Sequence, residues 1–217
     1  VQVLVVRTGQ LAAYVELYAH AYIIIALPDK LEWTHDGKVE LLTADGGSCG
    51  YSRLFIQLIS HELGLEAVWM VDDNVETCWK TSCSEKTVQH GNLTTEHCPF
   101  SGVMKHLEAV FDGNTPEGVL TPLDAEDLAC FPKRVRKHNS LQDITGPREK
   151  YGILGMGREK NRGPEHDDNM KYPVKRTHSI YSFFLFNVKD AVAKGVFYPA
   201  KPIWEDIEMI NMLDEAG

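Results

Sequence analysis

Two adjacent carboxylates, Asp72 and Asp73, follow the hydrophobic run Val68-Trp69-Met70-Val71, and Asn74 comes next. A buried strand ending in paired acids puts negative charge at the mouth of a sheet, where it is costly without a cation. Mg²⁺ or Mn²⁺ supplies such a cation, held through one or two protein carboxylates together with phosphate oxygens. The pattern therefore suits a metal, on Asp72 and Asp73, beneath a diphosphate. A solvated turn is the competing reading, because Asp and Asn are good turn and cap residues.

A second acidic pair, Glu205 and Asp206, follows Trp204 in the segment Pro202-Ile203-Trp204-Glu205-Asp206-Ile207. Acids in a first helical turn are favoured by the helix dipole alone. The functional reading makes one of them a general base that takes a proton from an attacking hydroxyl. A third feature, Gly-Gly-Ser-Cys-Gly-Tyr-Ser-Arg at 46–53, precedes a helix. Its glycines permit close backbone approach, the helix start offers free N–H groups, and Arg53 can meet phosphate or sugar oxygens. It lacks the Gly-Lys-Ser/Thr ending of a P-loop and the spacing of a GxGxxG fingerprint. No histidine pair has the spacing of a metalloprotease helix, and His61 falls on an apolar helix face, where packing is expected.

These groups need elements to hold them. The β-branched run at 1–6 predicts a strand buried on both faces, and 22–27 predicts another, stopped by Pro28 and Asp29. Helical spacing covers 10–19, with Leu11, Val15 and Tyr18 on one side. It also covers 51–63, with Leu54, Leu58 and His61, and Gly64 stands where a left-handed cap is expected. A third strand at 67–71 runs into Asp72. This β-α-β-α-β order predicts a mostly parallel sheet with helices on both faces. Ligands bind such sheets beyond the carboxyl ends of the strands, which singles out Arg7, Thr8, Asp29 and Asp72 to Asn74.

From 76 to 150 the pattern breaks. Residues 78–99 read as polar and irregular, 103–111 as a short amphipathic helix, and 114–145 as turns mixed with basic residues. A stretch this long predicts an insertion that meets an acceptor or a protein partner. Strand character resumes at 151–156, a polar loop covers 157–175, and 178–187 predicts a strand. Short helices are expected at 190–195 and 207–213. The expected organisation is one domain: a nucleotide-binding half (1–75), the insertion (76–150), and a catalytic part (151–217).

The 217 residues can bury a sizeable core, and 31 acidic against 22 basic residues give a net charge of −9. That sign disfavours broad nucleic-acid binding. The local basic run Lys133, Arg134, Arg136, Lys137 and His138 reads first as a solvated loop. The five cysteines, at 49, 78, 83, 98 and 130, form no CxxC pair, so a structural zinc is not expected. Free thiols and the absence of a leader at the start predict a nuclear or cytoplasmic protein. No apolar run approaches the ~20 residues needed to cross a bilayer, and no membrane partner is expected.

In their order along the chain, these features resemble a GT-A type glycosyltransferase. More narrowly, VVRTGQ, YIIIALPD, GYSRLFIQLISHELGL, VWMVDDNV and WEDIEM resemble the glycosyltransferase-like domain of the estrogen-induced breast-cancer growth regulator family. That domain is related to enzymes associated with DNA-base modification. The resemblance covers 1–75 and about 150–217. It implies a GT-A-like fold and an inverting transfer of a sugar, GlcNAc first, from a UDP-sugar to a hydroxyl on a protein or a modified nucleic-acid base. It sets Arg7 and Thr8 beside the nucleotide, Asp29 near the base, and Tyr51 and Arg53 near the sugar or diphosphate. Asp72 and Asp73 would face ribose and metal (Mn²⁺ or Mg²⁺), with Asn74 beside them. Asp206 would be the general base, and Glu205 would position the acceptor. Asn74 stands where a third acid would complete the usual DxD, and no late histidine ligand follows Asp206. The alternative is a module that keeps the fold without turnover and binds a nucleotide sugar or a protein partner.

Overall fold

The structure, a computed structural model, describes residues 2–35, 37–44, 49–72, 75–76, 78–82, 94–113, 152–155, 182–201 and 204–217. The chain divides into two compact units, residues 1–68 with 187–217, and residues 69–186.

In the first unit, β1 (Val3–Arg7) and β2 (Ile23–Leu27) pair in parallel, Val3 opposite Ile23. Between them a 3-10 turn, Thr8–Gln10, leads into α1 (Leu11–Tyr18), the crossover that a parallel pair requires. Neither strand is buried on both faces as the sequence predicts. Val6 and Leu27 are buried, while Val3 and Ile23 are exposed. Among the described residues these two strands form a sheet of two, and α1 has no buried residue.

After Pro28 and Asp29 the chain folds into an antiparallel hairpin, β3 (Lys30–His35) and β4 (Lys38–Thr43), with Gly37 at φ 74° in its turn. The sequence reading had only a polar stretch here. The sequence carries a signal for the hairpin, since Lys30-Leu31-Glu32-Trp33-Thr34 and Lys38-Val39-Glu40-Leu41 alternate polar and apolar residues about Asp36-Gly37, a strong hairpin dipeptide.

Helix α2 (Cys49–Glu62) buries Gly50, Tyr51, Arg53, Leu54, Gln57 and Ser60. Its buried stripe is half polar, so the apolar stripe expected from the sequence is rotated. Leu58 is half-buried, and His61 is exposed rather than packed. Gly64 takes the expected left-handed conformation at φ 69°. Helix α4 (Val188–Ala193) starts at Asn187, whose side chain accepts the Asp190 N–H at 3.0 Å. Helix α5 (Glu205–Ala216) closes the chain. Tyr51 and Leu54 of α2, Val188 and Ala191 of α4, and Met209 and Ile210 of α5 are all buried in this unit's core. Each large apolar side chain buried there contributes about 1.5–3 kcal/mol.

The second unit holds the sheet β5-β9-β8, made of β5 (Val68–Val71), β9 (Phe183–Phe186) and β8 (Ile153–Gly155), with β9 central. All four β9 residues are buried, as its continuous apolar run predicts. Helix α3 (Phe100–Phe111) packs Phe100 on Phe183 (5.6 Å, stacked), and Trp69 of β5 donates from Nε1 to Glu108 of α3 at 2.8 Å. Within 78–99, expected to be irregular, β6 (Cys78–Ser82) and β7 (Thr94–Cys98) form an antiparallel pair, and 83–93 lie outside the described residues. Their polar composition conceals a pairing of which the period-2 pattern gives no sign.

Of the described pairings with a defined register, only β1–β2 is parallel, while β3–β4, β6–β7 and β8–β9 are antiparallel. The architecture is mixed α/β with small sheets, where the sequence predicts one mostly parallel sheet. The basic run at 133–138, the turns at 114–145 and the loop at 157–175 lie outside the described residues. Among the described residues, no helix is long and apolar enough to cross a membrane.

Candidate functional site

The carboxyl edge of β1–β2 is tied together by side chains that the sequence singles out. Thr8, just past β1, donates from Oγ1 to the Leu27 carbonyl at 2.9 Å. Tyr51, in the first turn of α2, donates from its hydroxyl to the Pro28 carbonyl at 2.7 Å. The Asp29 carbonyl accepts the Ala44 N–H at 2.9 Å, and the Asp29 side chain is exposed. Burial raises the Tyr51 phenol above its ordinary pKa, and the charge of nearby Asp29 adds to the rise. Tyr51 is therefore a neutral hydrogen-bond donor at neutral pH. Arg7 is exposed at the end of β1.

Two residues further along α2, Arg53 leaves the helix in a different direction, as a step of about 200° requires. Its Nη1 donates to Glu205 Oε1 at 3.0 Å, with side chains only 5% and 10% exposed. The structure thus engages Arg53 and Glu205 with each other, which joins α2 to the start of α5. The Arg53 guanidinium also lies over the ring of Tyr198, at 5.9 Å from its centroid. Gln57, fully buried, donates to the Val196 carbonyl at 2.8 Å and accepts the Tyr198 N–H at 2.9 Å. One side chain thereby pins the strap 196–198. Burial pushes the Tyr198 hydroxyl far above the ordinary phenol range. Arg53 opposes that shift, whereas Asp206, Cys49 and Glu205 reinforce it. Asp206 directly follows Glu205 in this region.

Asp206 is half-buried, and its Oδ1 accepts the N–H of Ile207 at 2.9 Å. The residue before the pair, Trp204, is 67% exposed and left-handed at φ 64°. The glycine-rich approach to α2 is used unexpectedly at Gly50. A Cβ there would lie 2.3 Å from the Pro199 carbonyl oxygen and 2.8 Å from that of Lys201. The close approach that glycine permits is to the chain's own strap. Gly46 and Gly47 lie outside the described residues.

In the second unit, Asp72 is half-buried at the end of β5, and its N–H donates to the Ser182 carbonyl at 2.7 Å. Ser182, itself buried, is left-handed at φ 77°. Among the described residues, Ser182 and Trp204 are the non-glycine positions with positive φ. One is bonded to the first acidic pair and the other precedes the second. Such backbone costs about 1–3 kcal/mol per residue and concentrates at functional sites. Asp73 and Asn74 lie outside the described residues. Among those described, no group of three or more potential metal ligands is assembled.

The family model of the TET-associated glycosyltransferases matches residues 1–115. The chain belongs to that family. No curated protein and no solved structure matches it. The match takes in β1 through α3, and with them Arg7, Thr8, Asp29, Tyr51, Arg53, Asp72, Asp73 and Asn74. It also reaches into 76–115, where no sequence motif was recognisable. Glu205 and Asp206 lie beyond it, and the narrower likeness to the growth-regulator domain rests on the strings quoted above. Sequence reasoning missed three residues of this TET-associated glycosyltransferase: Gln57, Tyr198 and Ser182. Gln57 carries a recoverable signal, since it falls on the helix face of Leu54 three residues away. Nothing marks Ser182, whose role comes from a backbone angle.

Proposed function

We propose that this protein is an inverting glycosyltransferase of GT-A type that moves GlcNAc from UDP-GlcNAc to a hydroxyl on a protein or a modified nucleic-acid base, in the nucleus or cytoplasm. The observation that carries the reading is the division between the two acids at the start of α5. Glu205 is buried against Arg53, while Asp206 is half-buried, and among the described residues no cation pairs with it. A carboxylate fixed at a helix start by a buried neighbour suits a general base. Asp206 takes the proton of the acceptor hydroxyl as its oxygen attacks the sugar carbon and the bond to the diphosphate breaks. Glu205 acts through Arg53 and the strap to hold Asp206 in place.

For the donor, Arg7, Thr8 and Asp29 suit the nucleotide, and Tyr51 and Arg53 the sugar or diphosphate side. Asp72 and Asp73, with Asn74 beside them, would offer hard oxygen ligands to Mn²⁺ or Mg²⁺. When bound, that ion offsets the charge developing on the departing diphosphate. Engagement of Arg53 by Glu205 also favours a second reading, a module that binds a nucleotide sugar or a partner without turnover.

Titration with UDP, UDP-GlcNAc and UDP-glucose, with and without Mn²⁺, followed by assay of sugar release, separates the two. Binding with release onto an acceptor supports the transferase. Binding without release supports the module, and no binding of any donor contradicts the transferase and leaves the module as a partner-binding one.

A further inference from the structure

The β6–β7 hairpin takes no part in the proposed chemistry, yet its end rung holds two thiols. The register sets Cys78 opposite Cys98, where β6 begins and β7 ends. Directly opposed residues of an antiparallel pair share one face, with Cα atoms about 4.5 or 5.5 Å apart. A disulfide accepts a Cα separation of about 4.4–6.8 Å, so either kind of rung suits it. Both cysteines are free thiols. Cys78 is buried, whereas Cys98 is half-buried and open to a small reagent.

The Cys98 sulfur lies over the start of α3, without a strong partner among the described residues that would have to be broken. It donates weakly to the Pro99 carbonyl at 3.8 Å and lies 3.4 Å from where a Cβ on Gly102 would stand, over the first turn of α3. Burial raises the Cys78 thiol above its ordinary pKa, and the Cys98 sulfur adds to that rise.

We propose that Cys78 and Cys98 form a covalent modification site, closing reversibly into a cross-strand disulfide by exchange with a small-molecule disulfide such as oxidised glutathione. The accessible Cys98 thiolate attacks the reagent, forming a mixed disulfide and expelling one glutathione thiolate. The Cys78 thiolate then attacks the Cys98 sulfur, the mixed disulfide breaks, and the second glutathione leaves. Two cysteine sulfurs are oxidised and one glutathione disulfide is reduced to two thiols. The protons of the protein thiols end on solvent or on the expelled thiolates. The product ties the two ends of the 78–98 segment together beside α3.

The test is incubation of the native chain in a glutathione redox buffer, acid quenching, and peptide mapping without reduction. The expected product links the Cys78 and Cys98 peptides and has lost two of the five thiols. The same link is expected in a Cys83→Ser/Cys130→Ser double variant. In Cys78→Ser the reaction should stall with one glutathione on Cys98, which shows the order of the steps without relying on the bond itself. A lasting glutathione adduct on Cys98 of the unmutated chain, a link formed only after unfolding in urea, or Cys78 pairing with another cysteine would overturn the proposal.

Discussion

Glu205–Asp206 and Asp72–Asp73 are the same dipeptide feature, two adjacent acids beside a hydrophobic segment, and they sit on different kinds of element. At the start of α5, successive side chains diverge by about 100°. Glu205 therefore turns into the core to meet Arg53, while Asp206 stays half-buried with Oδ1 on the Ile207 N–H. At the end of β5 the side chains alternate across the sheet. There the Asp72 N–H donates to the carbonyl of the left-handed Ser182. One helical acid is structural because of a partner 152 residues away. The strand acid is anchored through its backbone N–H.

The largest expected effect breaks the helical half of this contrast. Glu205→Ala leaves Arg53 charged and buried without its carboxylate, and should cost about 3–5 kcal/mol in urea unfolding. Asp72→Ala, which keeps the N–H bond to Ser182 and removes a half-buried carboxylate, should cost less than that in the same assay. Equal losses would erase the distinction. Next comes Gly50→Ala, whose Cβ meets the 199–201 backbone. It should cost about 1–3 kcal/mol and should loosen the strap beside Glu205. Proteolysis of 196–201 reports the loosening.

A smaller effect sharpens the strand half. Asp73→Ala should weaken UDP-sugar binding by more than tenfold, about 1.4 kcal/mol, with unfolding unchanged. Unchanged affinity would remove Asp73 from the donor site. The smallest effect is silent at neutral pH. Because burial raises the Tyr198 pKa in the folded chain, the contribution is complete below the unfolded value near 10 and is lost as pH rises beyond it. The loss should approach about 1.4 kcal/mol per pH unit and should be absent from Tyr198→Phe.

Much of this was legible in the sequence where one residue's surroundings are local. The strands 23–27 and 68–71, α2, the Gly64 cap and the acids opening α5 follow from runs, spacing and punctuation. The β3–β4 hairpin had its signal in the alternation of 30–34 and 38–41 about Asp36-Gly37, whereas 78–82 and 94–98 carry no clear apolar alternation to detect. The Arg53–Glu205 pair, the Gln57 bridge and the grip of Ser182 on Asp72 were equally hidden. Each depends on segments distant in sequence meeting, which no local pattern records. For the same reason His61 was expected inside: the stripe looked apolar, while the true buried face of α2 is half polar.

The central claim is that Asp206 is the base and Glu205 its support, and one isosteric change tests it. Asp206→Asn should keep the fold and UDP-GlcNAc affinity, because Asn serves a helix start as well as Asp does, yet reduce sugar transfer by about 10² or more. Transfer measured under single-turnover conditions, with donor affinity determined on the same preparation, reads both quantities. Transfer by Asp206→Asn at a near-normal rate would contradict the account.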